Sequence, residues 1–219
     1  MPENTERLDA IREELRHCRR CTLARERNRV VPGEGPHAVK VMFIGEGPGR
    51  NEDIQGKPFV GQAGKVLDEL LATAGLKREE VFVTNVVKCR PPGNRDPLPE
   101  ELAACRNWLD EQIDLLNPEI IVTLGRFSMA RFLDNARIGR VHGQAFELGG
   151  RKVITMYHPA AALHNPALKD TMLADFANLG SIINKLSPTP QELPATSDTA
   201  IPPEKKEEEP GPLEQLTLF

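Results

Sequence analysis

Apolar residues recur along this chain in two rhythms, and the two alternate. A helical spacing over 5–16 gives way to a short continuous apolar strand over 39–44, then to a helix over 63–74 ended by Gly75 and a second strand over 81–87. A Pro-rich loop over 90–99 leads into a helix over 100–116 and a strand over 119–124. Beyond Gly125 the pattern predicts a short helix over 126–133, two strands over 145–148 and 152–156 around the Gly149-Gly150 turn, and a closing helix over 169–186. The strand at Val39-Lys40-Val41-Met42-Phe43-Ile44 and the one at Glu119-Ile120-Ile121-Val122-Thr123-Leu124 are apolar on successive positions, not on every second one. A sheet needs such strands when helices cover both its faces. The predicted fold is therefore α/β, a three-layer α/β/α sandwich with a mostly parallel central sheet.

From Ser187 onward both rhythms stop. Pro, Glu, Lys, Ser and Thr dominate, as in Pro202-Pro203-Glu204-Lys205-Lys206-Glu207-Glu208-Glu209-Pro210, and such a stretch buries too little apolar surface to offset its ordering entropy. The expected organisation is one folded domain over 1–186 and a disordered acidic tail over 187–219. The division changes how the charge is read. The whole chain carries −4, but the tail holds seven acidic and two basic residues, so residues 1–186 stand at +1. Acidity thus does not speak against a nucleic-acid partner, and +1 is no basic stripe that speaks for one. With 39% hydrophobic residues and no apolar run near the roughly 18 that cross a bilayer, the chain is expected to be a soluble protein without a membrane partner. A polar, charged N-terminus through Arg16 carries no leader pattern, which points to the cytoplasm.

In a parallel sheet the ligand sits beyond the carboxyl ends of the strands, so function is read from the loops there. The first is Gly45-Glu46-Gly47-Pro48-Gly49, continuing to Gly56-Lys57-Pro58-Phe59-Val60-Gly61. Pro48 removes a backbone donor, and neither a dinucleotide spacing nor a P-loop ending follows, which argues against a phosphate cradle. Glycines around Glu46 let backbone approach a ligand while a carboxylate projects into the site. Phe59 offers a flat stacking face. In the second loop, Asn85-Val86-Val87-Lys88-Cys89-Arg90-Pro91-Pro92, the Asn85 amide can donate to and accept from one ligand edge. The third, Tyr157-His158-Pro159-Ala160, brings His158. Each has a structural alternative, Phe59 as core, Asn85 as a strand-end cap and His158 as a loop hydrogen-bonder. Together, a stacking face and an edge reader suit a planar heterocycle such as a nucleobase.

Four cysteines fall as two pairs, Cys18 with Cys21 and Cys89 with Cys105. The second pair lacks the tight spacing that structural zinc favours, and its members lie on a strand end and inside a helix. Scattered thiolates suit a cubane iron-sulfur cluster better than a zinc ribbon, while zinc and buried or bridged cysteines stay open as alternatives.

The five motifs together, Gly45-Glu46-Gly47-Pro48-Gly49, the Gly-Lys-Pro-Phe-Val-Gly run, Asn85 to Pro92, His158-Pro159-Ala160 and the cysteine spacing, resemble a family 4 uracil-DNA glycosylase over about residues 8–186. The resemblance implies a 4Fe-4S cluster on Cys18, Cys21, Cys89 and Cys105, and a repair enzyme that flips uracil out of DNA and hydrolyses its glycosidic bond. It further implies that Phe59 stacks on the base, Asn85 reads its Watson-Crick edge, and His158 faces O2. The backbone at Gly47 would hold the base, Glu46 would orient water, and Glu52 would crowd C5 against a thymine methyl. Leu163 would be the wedge that fills the emptied stack, although Ala161-Ala162-Leu163-His164 departs from the family where a second bulky residue and a basic one are usual. Arg90, Arg95 and Arg140 are candidate phosphate contacts. The chain's end, Gln215-Leu216-Thr217-Leu218-Phe219, is similar to the bacterial sliding-clamp peptide, with Gln215, Leu216, Leu218 and Phe219 as docking residues. A monomer acting at the nucleoid is the expectation. Two other classes stay open on the residues alone: a catalytically silent iron-sulfur DNA-binding or redox-sensing protein, and an α/β enzyme acting on small nucleotides.

Overall fold

Five strands form one sheet in the order β2-β1-β3-β5-β4 in the computed structural model, which describes residues 2–186. The tail and its Gln215, Leu216, Leu218 and Phe219 lie outside the described residues. The strands are β1 (Val41–Gly45), β2 (Phe82–Asn85), β3 (Ile120–Leu124), β4 (Ala145–Leu148) and β5 (Arg151–Met156). β1 runs parallel to β2 with Gly45 opposite Asn85, and parallel to β3; β5 runs parallel to β3, and β4 closes the edge as an antiparallel hairpin partner of β5. β1, β2, β3 and β5 therefore end on one side. β1, β2, β3 are buried along their whole length, as continuous apolar runs require of a sheet covered on both faces.

Eight α-helices accompany the strands among the described residues: α1 (Pro2–His17), α2 (Arg50–Gln55), α3 (Gln62–Thr73), α4 (Pro99–Leu116), α5 (Arg126–Met129), α6 (Ile138–Val141), α7 (Ala160–His164) and α8 (Leu168–Leu186). The pleat sends Phe43 to one face, where it joins Leu67 and Leu70 of α3 and Phe176 of α8. Its neighbours Met42 and Ile44 go to the other face, against Leu8 of α1 and Leu109 and Ile113 of α4. These are the two outer layers of the expected sandwich. A third apolar cluster sits to the side, under the chain after α1, and contains Ile11, Leu15, Val87, Cys89, Cys105 and Trp108.

Three short helices were not expected from the pattern. α2, α6 and α7 span six, four and five residues. That is below the length at which a helix carries a readable period or stands by itself. The strand expected over 81–87 stops at Asn85: the Val86 N–H completes the last ladder pair on the Gly45 carbonyl, and the Val87 N–H turns to the Glu46 carbonyl in the loop. The helix expected over 126–133 ends at Met129. Among the described residues no helix is long and apolar enough to cross a membrane.

β1 connects to β2 through α3 on one face and β2 to β3 through α4 on the other. The strand order reverses between β1 and β3, which opens a crevice beyond their carboxyl ends.

Candidate active site

The crevice is a cleft of ≈ 530 Å³ lined by Glu46, Gly47, Glu52, Phe59, Asn85 and His158 among others. These are the loop residues that the sequence singled out at three strand ends, and the parallel sheet brings them to one place. Leu163 is 47% exposed on α7, the helix that also puts Ala160 and His164 on the cleft wall.

Phe59 is fixed by backbone as much as by packing. It has φ 53, a left-handed value that costs a bulky residue energy and persists only where the surroundings dictate it. Gly64 on α3 makes this conformation possible, since a β-carbon there would collide with the Phe59 carbonyl. Glu52 holds the next residues: its Oε1 accepts the N–H of Val60 at 2.8 Å and of Gly61 at 2.7 Å. Glu52 is 9% exposed and its role in the loop is thus visible, anchoring the turn that carries Phe59 into α3. The Phe59 ring lies 5.6 Å from the His158 ring, tilted 31°.

Asn85 ends β2 at 1% exposure, and its Oδ1 is buried without a hydrogen-bond partner. A buried acceptor of this kind costs roughly 1–3 kcal/mol unless a donor reaches it. Gly45 gives it room: a β-carbon there would strike Asn85 Oδ1 and stand 2.6 Å from Phe59 Cζ. The sequence motif includes Gly45 as a flank of Glu46 and passes over Gly64; what both contribute is the space they leave.

His158 is half-buried, and burial pushes its pKa down to about 4, opposed by nearby Glu52. It is therefore neutral near pH 7. Its Nδ1 lies 3.1 Å from the Ala160 N–H and accepts from it, which leaves the proton on Nε2. Glu46 is raised above the ordinary carboxylate range, first by burial and then by Asp96, while Arg126 opposes the rise. Arg126 is paired with Asp96.

Of the arginines proposed for phosphates, Arg95 lines the cleft but gives both terminal nitrogens to Glu101, at 2.8 and 2.7 Å. Arg90 donates to Asn94 at 2.7 Å. Glu101 is fully buried, accepts also from Thr22 and the Leu98 N–H, and is held well below the usual carboxylate range by Arg95.

A second buried charge went unread in the sequence. Lys88 is 0% exposed, and its Nζ donates to Thr84 Oγ1 at 2.6 Å, the Asn85 carbonyl at 2.9 Å and Gln112 Oε1 at 2.7 Å. Burial lowers its pKa to about 8, opposed by Cys105. Its backbone N–H points to Cys105 Sγ at 3.3 Å. Lys88 therefore stands between the cleft and the cysteines.

Cys18, Cys21, Cys89 and Cys105 are all free thiols gathered on the lateral apolar cluster. Arg27 donates to Cys89 Sγ at 3.0 Å. Burial raises the Cys89 and Cys105 thiols, the latter to about 11, and the neighbouring cysteines raise them further. Among the described residues no three His, Cys, Asp or Glu side chains close on a point that could hold a single metal ion.

Comparison with known proteins follows the same lines. Residues 32–178 match the model of the uracil DNA glycosylase superfamily. The type-4 uracil-DNA glycosylase of Archaeoglobus fulgidus is 46% identical over 84% of this chain and 97% of its own length. That of Thermotoga maritima is 43% identical over 82% and 96%, and that of Saccharolobus solfataricus 48% over 77% and 83%. The chain belongs to the type-4 uracil-DNA glycosylase family within that superfamily.

Proposed function

We propose that this protein removes uracil from DNA by hydrolysing the N-glycosidic bond, a monofunctional glycosylase that leaves an abasic site for base excision repair. The observation that carries the reading is the buried, unpartnered Oδ1 of Asn85 beside an aromatic face and a neutral imidazole with its proton on Nε2. Uracil meets all three. Its N3–H satisfies the Asn85 acceptor, its ring stacks on Phe59, and its O2 takes the His158 Nε2–H. As the bond breaks, negative charge gathers on the base, and a fixed neutral donor stabilises it without a strong acid. Glu46, whose proton affinity is raised by burial, orients and deprotonates the attacking water and balances the positive sugar. The backbone at Gly47 holds the base, Glu52 crowds C5 on the side where thymine carries its methyl, and Leu163 enters the stack as a wedge.

An alkali-cleavage assay tests this. A deoxyuridine-containing oligonucleotide should break at uracil alone, with a thymidine control intact; no cleavage by folded protein would move the weight to a silent DNA-binding or redox-sensing protein.

The four cysteines support a 4Fe-4S cluster as the cofactor. The donor set is four free thiols on three separate segments, and Trp108, 4% exposed in the same patch, has an Nε1–H with no partner. A bound cluster offers sulfur acceptors to such a donor and to Arg27, and ties α4, the Asn85 loop and the chain after α1 together. Glycosidic hydrolysis needs no electron, so its role here is structural. Iron and acid-labile sulfide at about four each per chain would support it.

The terminal Gln215-Leu216-Thr217-Leu218-Phe219 supports docking to the replication sliding clamp, which would raise the local concentration of enzyme at replicating DNA. Deleting 215–219 should abolish clamp binding and leave oligonucleotide hydrolysis intact. A monomer in the cytoplasm, at the nucleoid, completes the proposal, with sedimentation as its test.

A further inference from the structure

A second groove, of ≈ 630 Å³, gathers Arg12, Arg16, Arg27, Arg29 and Lys57 around one acidic lining residue, Glu34. Residues 1–186 carry a net charge of only +1, so this groove is a local concentration that the average conceals. The same short helix serves both openings: α2 puts Glu52 on the cleft and Gln55 on the groove. Asp53, 1% exposed, fastens the groove wall to α2 by accepting the Asn28 N–H at 2.9 Å, its Nδ2 at 2.5 Å and the Arg29 N–H at 3.4 Å. The two sites are thus held in one frame.

The cations are available. Arg29 is exposed, and its guanidinium has no partner among the described residues. Arg12 pairs with Asp9, Arg16 with Glu13 and Lys57 with Glu34 in partly or fully exposed pairs of the weak, exchangeable kind. Arg27 gives its nitrogens to Cys89 Sγ and to the carbonyls of Arg16 and Cys18, so no carboxylate neutralises it. The five come from three separate segments, α1, residues 27–29 and the turn after α2. Several cations supplied by separate segments suit a polymer with one charge per unit.

We propose that this groove takes the phosphodiester backbone of the strand whose base enters the cleft, beyond the nucleotides immediately next to the flipped one. The inference rests on the reading that the cleft accepts a base from DNA. It assigns phosphate contacts to Arg12, Arg16, Arg29 and Lys57, in place of Arg95, whose guanidinium already serves the buried Glu101.

The test is a triple variant of the full chain, Arg16→Ser, Arg29→Ser and Lys57→Ser, all exposed and none in the cleft; Arg27 is kept because it supports Cys89. Binding of a uracil-free single strand of about 20 nucleotides, followed by anisotropy, should weaken about tenfold at moderate salt, and the slope of log K against log salt should shrink by about 2. With a long uracil substrate KM should rise and kcat hold, while a uracil trinucleotide too short to reach the groove should be processed equally by both proteins. Unchanged affinity and slope would overturn the proposal, and so would an equal loss on the trinucleotide, which would mean damage to the cleft. If neither protein releases uracil from any substrate yet the salt slope falls as expected, the groove stands and the uracil reading fails.

Discussion

The cleft and the cysteine patch lie at the two ends of one short segment, Asn85 to Cys89, and they are built on opposite plans. In the cleft, groups are fixed but left wanting: Asn85 Oδ1 has no donor, the His158 proton sits on Nε2, and Phe59 is held at φ 53. In the patch, Cys89 and Cys105 are buried among apolar neighbours with Cys18 and Cys21 half-buried beside them, and donors are already supplied, from Arg27 to Cys89 and from the Lys88 N–H to Cys105. A site that must bind and release keeps unsatisfied acceptors where the ligand enters, whereas the patch already supplies donors to two of its thiols and leaves Trp108 Nε1–H for the proposed cluster.

The largest expected effects break the cleft alone. Glu46→Gln should lower kcat on a deoxyuridine oligonucleotide by about 10²-fold to 10⁴-fold, the range of a lost general base. Asn85→Ala should cost about 10²-fold to 10³-fold, as loss of a fixed donor or acceptor at a charge-developing base does. Both should keep wild-type iron content and a melting temperature at or above that of the wild type; a fall in either would mean that the two regions are not separable. Next, Cys89→Ala breaks the patch alone: iron and solubility should fall first, and the soluble fraction that keeps its fold should keep its chemistry. Loss of activity with fold and iron intact would contradict the division.

Lys88→Met sharpens the comparison, because Lys88 touches both sides. It leaves the Asn85 carbonyl, Thr84 Oγ1 and Gln112 Oε1 without their shared donor, at about 1–3 kcal/mol for each buried acceptor left unpaired. Excision and iron retention should decline together, measured on one preparation, which neither single-region variant produces. The smallest effect concerns pH. His158 has a folded pKa near 4 against an ordinary value of 6.5, so between these values the unfolded chain binds the proton and the folded one does not. Stability from this group is full above about 6.5 and is lost as pH falls. The urea midpoint should therefore drop from pH 7 to pH 5, and the drop should shrink in His158→Gln.

Much of this is legible in the sequence. The continuous apolar runs at β1 and β3 dictated a covered parallel sheet, and once its strand ends were aligned, Glu46, Phe59, Asn85 and His158 had to meet. What escaped has two physical origins. α2 has six residues, too few for a period, and is held by the buried carboxylates Glu52 and Asp53, which bond backbone N–H groups from distant segments. Lys88 and Glu101 escaped because a charged residue reads as exposed in a pattern of apolar and polar positions, and only the fold reveals that their partners are supplied internally.

The unpartnered Oδ1 of Asn85 bears on turnover. The groups that recognise uracil contact the base and not the sugar, so the free base released by the reaction satisfies that oxygen as well as the bound nucleotide did. On the proposed function, product dissociation then becomes a slow step of the cycle, and accumulating free uracil inhibits competitively. The abasic strand loses its hold on the cleft when the bond breaks, while the base it left behind stays.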